Sequence, residues 1–398
     1  MPEPSVVSFT RAGQDAPHDE GGTMSTTTLE HRPFSVDVPQ ADLDDLRERL
    51  ERTRFAPAAP GDSWEYGTPE SYLRDMVRRW TTFDWRAVED RVNAYPGFRT
   101  EIDGQPIHYL HVRSQHEDAT PLLLAHTYPG SILDFLDMID PLVDPVAHGG
   151  RPEDAFHLVI PSMPGFGFST PVVGDTDWTM ARVARAYDTL MRDLGYDSYG
   201  IHGSDGGAMV GRELAILDPE GFLGAHVLQL FSFPSGAEGE MDGFGEKEYA
   251  ALGHMQWFQS VGAYNTMNAS RPQTVAAGLA DSPVAVLAYH ELFESFGNGT
   301  SLVSADQVLA QATLYWLTNS YATAARYHYA EQRSGAEPVV SQGRIGVAVF
   351  KDDFQTLRAF AERDNARIEH WSEFPRGGHY AALEVPEDVV ADLRVFFA

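Results

Sequence analysis

The chain has 398 residues, 43% of them hydrophobic, enough for a sizeable core and too many for wholesale disorder. Its formal net charge of -29 sets nucleic acid and anionic membrane surfaces aside as default partners, and solubility is its simplest meaning. Without cysteine, disulfides, thiol nucleophiles and Cys-ligated metals are excluded.

Residues 1–23 are polar and lack a basic start followed by an apolar stretch, so they do not read as a signal peptide. Met24 is an alternative start, and a disordered tail is expected over 1–30. No apolar run reaches the length of a membrane span, and a cytoplasmic protein is expected. The first ordered element is predicted as a helix after Pro39, with Leu43, Leu46 and Leu50 on one face. Trp64, Tyr66, Trp80, Phe83, Trp85 and Tyr95 follow on an irregular stretch. So many aromatics there predict an N-terminal extension over 31–97 that packs against a larger body.

From Phe98 the pattern changes to short apolar runs alternating with helical periodicity. Strands are predicted at Arg99–Ile102, Ile107–Val112, Leu122–His126, His157–Ile160, Tyr199–Gly203 and Gly224–Leu230. A helix is predicted from Met180 to Leu194, with Gly195 at its stop position. This rhythm argues for a mostly parallel sheet flanked by helices, its first part spanning 98–231. Residues 232–335 are helical in texture and aromatic, an insertion expected to form a lid. The core resumes over 336–398 with strands at Ile345–Phe350 and Arg367–Trp371 and a closing helix, Pro386–Phe397.

Three short segments carry chemistry. Gly203-Ser204-Asp205-Gly206-Gly207 joins a strand to the helical pattern Ala208–Leu217, where a nucleophile on a sharp turn needs small neighbours. Asp stands where an esterase would carry Ser, and a carboxylate can displace a leaving group from saturated carbon. A Gly-rich turn with Asp capping the next helix is the plainer alternative. Arg376-Gly377-Gly378-His379 follows the last strand, a position suited to a base, although a lone His is more often structural. His126-Thr127-Tyr128-Pro129-Gly130-Ser131 follows a strand. In an α/β-hydrolase such a loop supplies one oxyanion N–H and the residue after the nucleophile the other, here Tyr128 and Gly206. An ordinary Pro-Gly turn would look similar.

Together these segments resemble the α/β-hydrolase epoxide hydrolases, specifically the microsomal-type branch with an N-terminal extension. The resemblance runs from about Pro33 to the C-terminus. Its marks are His126–Ser131, the proline-rich turn Ile160–Gly167, Gly203–Gly207, Arg376–His379, and Arg271-Pro272 with Asp281-Ser282-Pro283 in the lid. The resemblance implies Asp205 as covalent nucleophile and His379 as base. It also implies two lid tyrosines that hydrogen-bond the epoxide oxygen: Tyr264, and Tyr329 with Tyr327 as its rival. The third triad member is expected after Gly346–Phe350, with Asp353 favoured and Asp352 the alternative. No metal or organic cofactor is required.

Bacterial epoxide hydrolases of natural-product pathways, enediyne biosynthesis among them, are similar, and detoxification is a further role of the family. Trp257, Phe258, Phe293, Phe296, Tyr315 and Trp316 suggest a bulky apolar epoxide substrate, aryl among the candidates, though core packing explains them equally well. A homodimer stays open. Thr127 and Tyr128 replace the usual Gly-Trp, Ser204 a Gly, and Gly206 a bulky residue, departures that bear on substrate preference. The competing readings are a haloalkane dehalogenase, which typically needs a Trp donor where Gly206 stands, and a binding protein on a retired hydrolase scaffold.

Overall fold

A computed structural model describes residues 28–174 and 177–398; most of the expected tail, and Met24, lie outside them. Among the described residues nine strands form one sheet: β1 (Arg32–Phe34), β2 (Gly97–Ile102), β3 (Gln105–Val112), β4 (Thr120–Ala125), β5 (Phe156–Pro161), β6 (Tyr199–Gly203), β7 (Phe222–Val227), β8 (Ile345–Asp352) and β9 (Ile368–Gly378). Their order is β1-β2-β3-β5-β4-β6-β7-β8-β9. Pairing is antiparallel from β1 through β3 to β5 and parallel from β5 to β9. β5 and β6 are buried along their whole length, as continuous apolar runs in a sheet covered on both faces should be.

Three expectations need correction, the plainest being that the aromatic stretch read as irregular holds the helices Glu70–Trp80 and Trp85–Asn93. The first element is a strand, β1, which pairs with β2 ahead of the helix Gln40–Glu51. The chain is tied down already at Leu29, whose N–H donates to Asp193 at 3.1 Å. A three-residue edge strand leaves no periodicity to read. The strand predicted to reach Leu230 ends at Val227, and the buried run Leu228–Leu230 continues as a loop.

Because β4, β6, β7, β8 and β9 run parallel, their carboxyl ends lie at one edge of the sheet. The loops leaving that edge carry Tyr128, Asp205, Gln229, Asp353 and His379, which is why distant segments meet there. Between β7 and β8 the chain forms helices, including Glu246–Val261, Ala263–Ser270, Ala305–Thr318 and Arg326–Arg333. The N-terminal segment is anchored to these helices. The indole N–H of Trp80 donates to Thr313 Oγ1 at 2.8 Å, and the Tyr72 hydroxyl donates to Glu294 at 2.8 Å.

Candidate active site

Asp205 sits between β6 and the helix Gly206–Leu217 at φ 49° and ψ -116°. A non-glycine residue in that region costs of order 1–3 kcal/mol and persists only where its surroundings hold it. Here they do. A Cβ on Gly207 would lie 1.9 Å from the Ala125 carbonyl oxygen, and one on Gly203 would lie 2.2 Å from that of Gly207. These two glycines let the turn close against β4. Gly206 differs, since a Cβ there would meet nothing nearer than Met163 Cε at 3.4 Å.

The Asp205 carboxylate accepts the Tyr128 N–H on Oδ2 at 2.9 Å and is also hydrogen-bonded by the Gly206 N–H. Burial pushes the carboxyl up from its ordinary range, against the pull of His379 and these two N–H groups. His379 Nδ1 is 2.8 Å from Asp353 Oδ1, and Asp353 is buried. Asp352 closes β8 half-exposed, and His379 meets Asp353, its neighbour. Burial disfavours the imidazolium, but the charge and hydrogen bond of Asp353, helped by Asp205 and Glu384, raise His379 to about 9. Glu384 is placed for this by accepting the N–H groups of Gly378 and Tyr380 at 2.9 and 3.1 Å.

Asp205, Asp353 and His379 all line a cavity of about 590 Å³. Its apolar wall includes Met209, Phe231, Trp257, Phe258, Leu292 and Phe296, while Asn265, Asn298 and Glu331 add polar groups. Tyr264 lines it. Tyr329 does not: it lies under the Arg333 guanidinium, 3.7 Å from its ring centroid, and the phenol in the cavity is Tyr327. The reason is helical geometry, because residues two apart project about 200° from one another. Burial and the nearby Asp205 hold both cavity phenols protonated, their pKa values well above the usual tyrosine range. Phe293 and Tyr315, expected around a substrate, are buried core residues, and Trp316 packs against that core.

Two buried polar residues escaped sequence reading. Gln229, in the loop after β7, touches three of the segments that meet here. Its only signal was a lone polar residue in the apolar run Val227–Phe231. Asn268 donates to the Tyr128 hydroxyl at 2.8 Å from the helix Ala263–Ser270, with no sequence signal to mark it. Among the described residues one trio has metal-ligand spacing: His226, His370 and Asp392. Its atoms are already satisfied. Each imidazole Nε2 lies 2.8 Å from a different oxygen of Asp392, so hydrogen bonding accounts for the cluster.

Fold and site together define an α/β-hydrolase with a carboxylate at its strand-to-helix turn. The chain matches the family model for the epoxide hydrolase N terminus over residues 31–135 and that for the alpha/beta hydrolase fold over residues 120–258. It is 39% identical to a candidate epoxide hydrolase of Stigmatella aurantiaca, over 92% of this chain and 84% of that protein. It is 29% identical to epoxide hydrolase 1 of Sus scrofa, covering 92% and 88% of the two chains. Among solved structures, Aspergillus niger epoxide hydrolase superposes with a TM-score of 0.81 at 30% identity, covering 93% of this chain and 96% of that one. Juvenile hormone epoxide hydrolase of the silkworm Bombyx mori gives 0.82 at 25% identity, covering 92% and 94%. The chain belongs to the epoxide hydrolase family, enzymes that open epoxides to diols on the α/β-hydrolase fold.

Proposed function

We propose that this chain hydrolyses a bulky apolar epoxide through a covalent ester on Asp205. The observation that carries the reading is a single cavity faced by Asp205, the His379–Asp353 pair and the two phenols of Tyr264 and Tyr327. With Oδ2 held by the Tyr128 N–H, the attack falls to Oδ1. It displaces the ring oxygen from one oxirane carbon, and a tyrosine hydroxyl protonates the departing alkoxide, which is far more basic than a phenolate.

Forming the ester removes the Asp205 charge, one of the groups that hold His379 protonated. The His379 proton then passes to the tyrosinate left by ring opening, which restores the phenol and leaves a neutral imidazole to act as the base. The imidazole takes a proton from water as the water oxygen adds to the ester carbonyl carbon. The Tyr128 and Gly206 N–H groups stabilise the oxyanion on Oδ2, and as it collapses the diol oxygen leaves with the proton of the added hydroxyl, so that Asp205 returns as a carboxylate and His379 stays an imidazolium. One water oxygen ends in the Asp205 carboxylate. The aromatic wall and the cavity volume suit an aryl or other bulky apolar epoxide, within the usual range for small-molecule sites. Gly206 offers no side-chain donor for a halide, which disfavours dehalogenation. A diffusible substrate and an acidic surface fit a cytoplasmic enzyme that works without nucleic acid or membrane.

The test is diol formation from styrene oxide and a bulkier aryl epoxide, with wild type and Asp205→Ala compared. Turnover lost in the variant supports the reading, as does single-turnover labelling of Asp205 from heavy-oxygen water. Folded wild type that turns over neither epoxide, or that leaves Asp205 unlabelled during turnover, would overturn it.

A further inference from the structure

We infer that Gln229 is a positioning residue, whose carboxamide ties the nucleophile backbone to the triad carboxylate and sets the basicity of His379. The inference rests on the covalent mechanism above. Gln229 is 1% exposed and uses both ends of its amide within the site. Oε1 accepts the Asp205 N–H at 2.5 Å, bracing the strained turn. Nε2 donates to Asp353 Oδ2 and, at 3.3 Å, to the His379 carbonyl oxygen. The orientation is forced, because a flipped amide would set N–H against N–H at Asp205 and oxygen against carboxylate at Asp353.

The two oxygens of Asp353 are thus divided, Oδ1 to His379 and Oδ2 to Gln229. A donor on Oδ2 disperses the carboxylate charge and weakens its hold on a proton at His379. Without it the imidazolium is more persistent and the base is poorer in the ester-hydrolysis step. The other titratable groups around the pair are Asp205, Asp352, Glu384, His254 and Tyr380, whose ring centroid lies 5.0 Å from that of His379. Among the described residues Gln229 is the side chain that hydrogen-bonds Asp353 Oδ2, so the amide acts there without a substitute.

Two variants separate this from simple packing. Gln229→Met keeps the side-chain length and removes all three hydrogen bonds. Gln229→Glu keeps an acceptor for the Asp205 N–H and replaces the donor with an anion. Rapid-quench measurement of alkyl-enzyme decay against pH is the readout, with thermal melting to confirm folding. The midpoint of decay should rise by about one unit in the Met variant, slowing decay roughly tenfold below it, and by more in the Glu variant. Rates lowered uniformly with unmoved midpoints would overturn the inference, as would wild-type profiles in both. Wild type inactive on every epoxide would instead refute the covalent reading itself.

Discussion

Tyr327 and Tyr329 share one helix, Arg326–Arg333, yet meet different surroundings. The Tyr327 ring centroid lies 5.7 Å from that of Tyr128 and the side chain is buried facing Asp205 in the same cavity, whereas Tyr329 is covered by a guanidinium. A phenol can protonate an alkoxide only within hydrogen-bond reach of it. Tyr327→Phe should therefore slow formation of the alkyl-enzyme by on the order of 10²-fold, since positioned acids contribute that much or more. Tyr329→Phe should leave that step near the wild-type rate. Single-turnover kinetics on the two variants distinguishes them, and the reverse pattern would return the role to Tyr329.

The helix Ala263–Ser270 carries Tyr264 and, one turn later, Asn268, so both face the same side. Asn268 donates to the Tyr128 hydroxyl and accepts from the Tyr289 hydroxyl at 3.3 Å. Tyr128 and Tyr264 stack at 6.0 Å with their planes 13° apart. The replacement of the family's usual Trp by Tyr128 thus gives the loop after β4 a hydroxyl that fastens it to the insertion. Asn268→Ala leaves buried hydroxyls short of a partner, at a cost of about 1–3 kcal/mol. A melting temperature lower by a few degrees is expected, with slower epoxide opening because the Tyr264 helix loses its fixed distance from Asp205. Unchanged melting and unchanged single-turnover opening would show that the bond carries no weight.

Over the whole molecule the charge of -29 creates a field that acts on substrates before they bind. Asp352 and Glu331 extend that negative character into the cavity lining. An epoxide bearing a carboxylate should therefore show kcat/KM rising with salt, as the Debye length shrinks from about 30 Å at 0.01 M to about 8 Å at 0.15 M. Styrene oxide, being neutral, should show little change. Equal salt responses for the two substrates would mean that the field does not reach the mouth of the site.

What the chain determines locally is legible in its residues. The strands around Leu122–Leu124, His157–Ile160 and Tyr199–Gly203 announce themselves as buried apolar runs, because a central parallel strand has no solvent face. The turn at Asp205 and the loop at His379 are equally plain, since a tight backbone demands glycine at 203 and 207 around the one and at 377 before the other, and short motifs preserve that demand. Tertiary structure alone puts Tyr327 rather than Tyr329 on the cavity, because a helix phase is fixed by what its faces pack against. It also brings Gln229 and Asn268 to the site from separate segments. Parallel strands deliver their ends to one edge whatever their spacing in sequence, and a hydrogen bond formed across that edge leaves no local trace.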